Sequence, residues 1–146
     1  MSEIYNDLFA TFSDSLEAFI REVKSKKSSL MATDEWTVKE ELCHIVFWHE
    51  NYAAIYKALA EYKDPPLPEG MSTINMAGVL LLRKHSIKEL ISRLHKANKS
   101  LYDSIVVKKV PRMTYSKGGR TYETVDFLEM IARHINTHAK QVRKAK

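Results

Sequence analysis

The placing of chain breakers constrains this sequence more than any other feature. All four prolines and three of the four glycines fall in two stretches, Pro65–Gly70 and Pro111–Gly119. The rest of the chain is free to run in long elements. Sparse breakers favour helices, because proline and glycine are the residues that interrupt them.

Apolar spacing gives those helices their limits. Ile4, Leu8, Phe9, Phe12, Leu16, Phe19, Ile20 and Val23 recur at three- and four-residue steps, predicting a first helix over Ser2–Lys26. Thr37 and Glu40 form a T-x-x-E capping box that starts a second helix. Val38, Leu42, Ile45, His49, Tyr52, Tyr56 and Leu59 mark its inward seam, and the prolines at 65–68 stop it. The third region splits near His85–Ser86. Asn75–Lys84 reads as one helix, and Ser86 with Glu89 caps the next, which buries Leu90, Ile91, Leu94, Ala97, Leu101, Ile105 and Val106. A loop follows over Val107–Arg120, with a turn at Lys117-Gly118-Gly119-Arg120 that a short extended pair could flank. The last helix spans Thr124–Lys144, with Leu128, Ile131, Ile135, His138 and Val142 inward. The expectation is an all-α chain, a four-helix bundle forming a single domain over residues 1–146. Its 45% hydrophobic and 28% charged residues suit a packed globule and argue against disorder.

Several functional classes are disfavoured. A lone cysteine, Cys43, cannot form an internal disulfide, and its apolar helical setting predicts a buried, inert thiol. The acidic N-terminus lacks a signal peptide's apolar run, and no stretch reaches the roughly 20 apolar residues that cross a bilayer. A cytoplasmic protein with no membrane partner is expected. The net charge of +5 is uneven, at −4 over residues 1–60 and +9 over residues 61–146. The basic residues lie in the loop and at the chain end without interleaved stacking aromatics, so no nucleic-acid partner is expected.

The histidines are the chemically informative residues. His134 and His138 are four apart, one above the other on a helix face, a spacing that can chelate a divalent ion. A third ligand must come from another helix. His44, one step from the seam residue Ile45, is favoured for that role over His49, which falls on the seam itself. A buried histidine bonded to Glu50 or to a tyrosine is the structural alternative for either. By spacing alone, core or surface histidines are the commoner outcome. No H-E-x-x-H metalloprotease pattern is present. His85 and His95 read as surface residues. Trp36 and Trp48 read as packing residues, with Trp48 on the His44 face, where it could wall a site. Tyr115 and Tyr122 flank the glycine turn and could close over a ligand.

The run Trp36-Thr37-Val38-Lys39-Glu40-Glu41-Leu42-Cys43-His44 and the last helix, with His134, His138 and a following Gln141, resemble the signatures of the DinB-like (DNA-damage-inducible) superfamily of four-helix bundles. The segments Ile74–Val79 and Ser86–Leu90 are most similar to its ClbS/DfsB branch, named for a colibactin self-protection protein, a cyclopropane hydrolase. The resemblance implies a metal held by His44, His134 and His138. Zinc or nickel suits imidazole ligands best. Glu41 and Gln141 would orient the imidazoles from behind. Trp48, His49 and Tyr52 would line a pocket for a small-molecule ligand. The superfamily includes thiol transferases, so a low-molecular-weight thiol is a further implied cofactor, and a homodimer is the implied assembly. The implied activity is a metal-dependent hydrolase or thiol S-transferase acting on a small electrophile, in stress or toxin protection. The alternative is a bundle that binds a small molecule or dimerises without metal or catalysis.

Overall fold

The computed structural model describes residues 2–146, without the side chains of Ser2, Met71 and Ser72. Five α-helices follow in order: α1 (Ser2–Lys24), α2 (Val38–Ala60), α3 (Met71–Leu82), α4 (Ile87–Tyr102) and α5 (Thr124–Arg143). A π-helical turn at Asp103–Val107 extends α4, and β1 (Arg112–Met113) pairs antiparallel with β2 (Tyr122–Glu123). The fold is all-α: α1, α2, α4 and α5 form the bundle, and the short α3 lies against α2. No described helix is long and apolar enough to cross a membrane.

Helix starts follow the caps. Glu40 N–H donates to Thr37 Oγ1 at 3.2 Å and Thr37 N–H to Glu40 Oε1 at 3.0 Å, so two orphan donors are satisfied reciprocally. Ser86 caps α4 by accepting from Glu89 N–H at 3.1 Å, but the Glu89 carboxylate returns to the Ser86 hydroxyl rather than to its backbone. The break near His85–Ser86 is therefore real, and α3 begins four residues earlier than its apolar pattern suggested. The short strands flank the glycine turn as expected, with Gly118 at φ 76°, a conformation glycine adopts without steric cost. The π-turn had no local signal.

Contacts along the chain fix the helix directions. Arg143, near the end of α5, donates to Glu22, near the end of α1, at 2.5 Å, so these neighbours run in parallel. Parallel neighbours cannot be joined by a tight turn, and the other two bundle helices lie between them in sequence. Lys146 and Met31 exchange both backbone hydrogen bonds at 3.1 Å, tying the end of α5 to the loop before α2.

Phe12, Leu16, Phe19, Leu42, Ile55, Tyr56, Leu90, Leu94 and Phe127 fill the core. Burying each such side chain stabilises the fold by roughly 1.5–3 kcal/mol. Tyr56 is fully buried and its hydroxyl is satisfied: Thr124 spends its proton on Val110 O at 2.7 Å, so Tyr56 must donate to Thr124 Oγ1 at 3.0 Å. One expected core residue is displaced. Ile4 is 48% exposed and Tyr5 is buried instead, because the larger ring takes the inward place at the first turn of α1.

Candidate metal centre

The capping box fixes the start of α2, and one turn later the helix presents Glu41 and His44 to α5. On α5, His134 and His138 stack one turn apart, with ring centroids 4.5 Å from each other. The His44 ring lies 4.8 Å from His138 and 5.7 Å from His134. One nitrogen from each of the three falls within 4.8 Å of the others. His44 and His138 are buried, whereas His134 stands at the surface edge.

The electrostatics of the cluster suit a cation. Burial, with the neighbouring imidazoles second, lowers the His44 pKa to about 3. Burial and then His138 lower His134 to about 4. Both rings are neutral at pH 7 and keep a lone pair to offer, as metal ligation requires. Their Nε2 atoms approach to 3.4 Å. Two nitrogens bound tetrahedrally to one ion at about 2.0–2.1 Å would be roughly 3.4 Å apart.

Glu41 completes the arrangement. Its carboxylate is fully buried, and among the described residues it has no Lys or Arg partner. Oε2 is hydrogen-bonded to His138 Nδ1, which leaves His138 Nε2 to face the cluster. A carboxylate behind an imidazole fixes its tautomer and raises its basicity, the usual support of a metal-binding histidine. Glu41 Oε1 and His44 Nδ1 are buried without a hydrogen-bond partner among the described residues. The three-imidazole donor set, with a carboxylate hydrogen-bonded behind it, fits a divalent ion.

The other candidate residues separate cleanly. His49 points away from the cluster: its Nε2 donates to Asn98 Oδ1 at 3.0 Å, and its ring stacks on Phe12 at 5.4 Å. Its partner is neither Glu50 nor a tyrosine, because Glu50 is held by Arg93 in a bidentate pair at 2.6 and 2.9 Å. Gln141 hydrogen-bonds none of the three imidazoles, and its Oε1 is buried without a partner. Trp36 packs against the His44 ring at 4.8 Å. Cys43 is buried, and burial pushes its thiol up to about 11, as an inert thiol requires. His85 and His95 lie on polar surface, paired with Glu89 and Glu17.

A cavity of about 180 Å³ opens beside His44 and His134. Trp48, Tyr52 and Tyr115 give it aromatic walls, Met130 and Ile131 line it from α5, and Asn75 reaches in from α3. Trp48 and Tyr52 line this cavity whereas His49 does not, and of the two loop tyrosines only Tyr115 reaches the wall. Tyr122 stacks on Tyr115 at 5.5 Å, under the Arg120 guanidinium. Ile131 is expected on the inward face of the last helix, and Asn75 falls in the Ile74–Val79 segment, but neither these two nor Met130 is a site residue by sequence pattern.

A helical bundle with three convergent imidazoles and a buried carboxylate behind one of them defines a class of candidate metal-binding bundle proteins. The model of the DinB superfamily matches residues 5–142, and the chain belongs to that superfamily. No curated protein and no solved structure matches it.

Proposed function

We propose that this chain is a metal-dependent enzyme acting on a small electrophile, as a hydrolase or a thiol S-transferase, with His44, His134 and His138 as ligands to zinc or nickel. The observation that carries this reading is the hydrogen bond between buried Glu41 and His138, set behind three imidazoles whose nitrogens converge within 4.8 Å. A divalent ion bound there supplies a Lewis acid with coordination positions left over. Glu41 holds His138 in the tautomer that offers Nε2. Trp36, packed against His44, restricts that ring. The aromatic walls of the cavity beside His44 and His134 would seat the apolar part of a substrate. In the thiol-transfer form of this reading, a low-molecular-weight thiol is the second substrate. The likeness of Ile74–Val79 and Ser86–Leu90 to the ClbS/DfsB branch favours hydrolysis and a protective role. A homodimer is proposed on the exposed Met76, Leu80 and Leu81 of α3, and sedimentation analysis tests it.

Elemental mass spectrometry on tag-free protein tests the central reading. Near-stoichiometric zinc or nickel is expected, and it should be absent from the His134→Ala/His138→Ala variant. Metal-free protein after reconstitution would overturn the metalloenzyme and leave a small-molecule-binding bundle. With metal established, product analysis with and without added thiol separates hydrolysis from transfer.

A further inference from the structure

The geometry points to Asn75 as a substrate-orienting donor, one that selects ring-sized molecules bearing a carbonyl-type oxygen. Trp48 Nε1–H donates to Asn75 Oδ1 at 2.5 Å. An indole nitrogen can only donate, so the amide must present its oxygen to Trp48. The amide NH2 is thereby turned away from Trp48. Asn75 lines the cavity beside His44 and His134, and its NH2 has no hydrogen-bond partner among the described residues. The result is a fixed donor on a residue that lines the same cavity as His44 and His134.

The rest of the cavity narrows the class of ligand. None of its lining residues is a Lys, Arg, Asp or Glu, so in metal-free protein a charged molecule would lose its hydration there without compensation. Burial raises the Tyr52 phenol, which keeps that wall neutral. A volume of about 180 Å³ takes a single ring with a short substituent, since a cavity of about 150 Å³ already admits benzene. Aromatic walls hold the ring, and the Asn75 NH2 binds the oxygen and draws electron density from the carbon that bears it.

Asn75 is also well supported. α3 lies close against α2 because Gly78 has no Cβ: one added there would come within 2.5 Å of the Phe47 ring. Before α3, Lys117 N–H donates to Pro68 O at 3.0 Å and its ammonium pairs with Glu69 at 3.0 Å. The segment leading into α3 is thereby tied to the loop that carries Tyr115.

This inference rests on the proposed site only for its location, and metal-free protein can test it. Acetophenone and ethylbenzene have nearly the same shape, and only the first carries the acceptor. Nitrogen–proton correlation spectra of chelator-treated protein, titrated with each, should show the Asn75 side-chain NH2 signals moving with acetophenone alone. Acetophenone should bind roughly 3- to 10-fold tighter, the range one net hydrogen bond supplies. In Asn75→Asp a carboxylate can still accept from Trp48 but offers no donor, so the preference should vanish while the Trp48 indole signal stays in place. Asn75→Ala gives the same reading should the aspartate disturb α3. Equal binding of the two probes, a preference that survives both variants, or no binding of either would overturn the proposal. Failure of the metal site would show instead in the metal content of untreated protein.

Discussion

His44 and His49 sit five residues apart on α2, and both are buried, yet they belong to different environments. His44 faces α5 and meets two more imidazoles, with its Nδ1 unpartnered. His49 faces α1 and α4, where Asn98 accepts from it and Asn98 in turn donates to Ser13 Oγ at 3.0 Å. One nitrogen set is left open toward a cavity and the other is spent within the core. Burial alone does not distinguish a ligand from a structural histidine. What distinguishes them is whether the lone pairs already have partners.

The contrast predicts opposite failures. His44→Ala should abolish stoichiometric metal binding and cost the metal-free protein less stability than His49→Ala, because the packing it loses is partly offset by removal of a buried nitrogen that lacks a partner among the described residues. His49→Ala should keep the metal and cost about 3 kcal/mol of stability, since it opens a cavity and strands Asn98. Metal analysis and denaturant unfolding of both variants check this, and loss of metal in His49→Ala alone would reverse the assignment.

Acid should sharpen the same contrast. Burial lowers His49 to about 4, below its ordinary 6.5. As pH falls below 6.5 the unfolded chain takes up a proton that the folded chain refuses. The stability tied to neutral His49 is present above that pH and is lost progressively down to about 4. The loss should be on the order of 2–3 kcal/mol. His44 and His134 act in the same direction in metal-free protein. Unfolding measured from pH 7 to 4 should show a shallower slope in His49→Gln than in the parent.

The smallest effect concerns the carboxylate that only the His44 side possesses. Glu41→Gln keeps the shape but weakens the hold on His138, and metal affinity should fall about 10- to 100-fold. Competition with a chromophoric chelator measures it, and an unchanged affinity would show that Glu41 does not support the site.

Local features were legible in the sequence because their causes are local. The Thr37–Glu40 box, the break before Ser86, the glycine turn and the i, i+4 pair His134–His138 each depend on neighbours a few residues away. The family signatures added His44 to that pair, and the structure brings the three together. Ile4 misled because Tyr5 could satisfy the same period one position on. Gln141 was expected behind an imidazole from the family resemblance, but it hydrogen-bonds none of them among the described residues.

By itself, then, the sequence determined an all-α chain, the approximate limits of its helices, and the histidine pair on α5. The tertiary structure decided the rest. It turned His49 toward Asn98, set Glu41 behind His138, and fixed the Asn75 amide with the Trp48 indole. Each of these contacts joins side chains from different helices. Helical period says which residues share a face, but the rotation and offset at which two faces pack are set by core volume and by hydrogen bonds between helices.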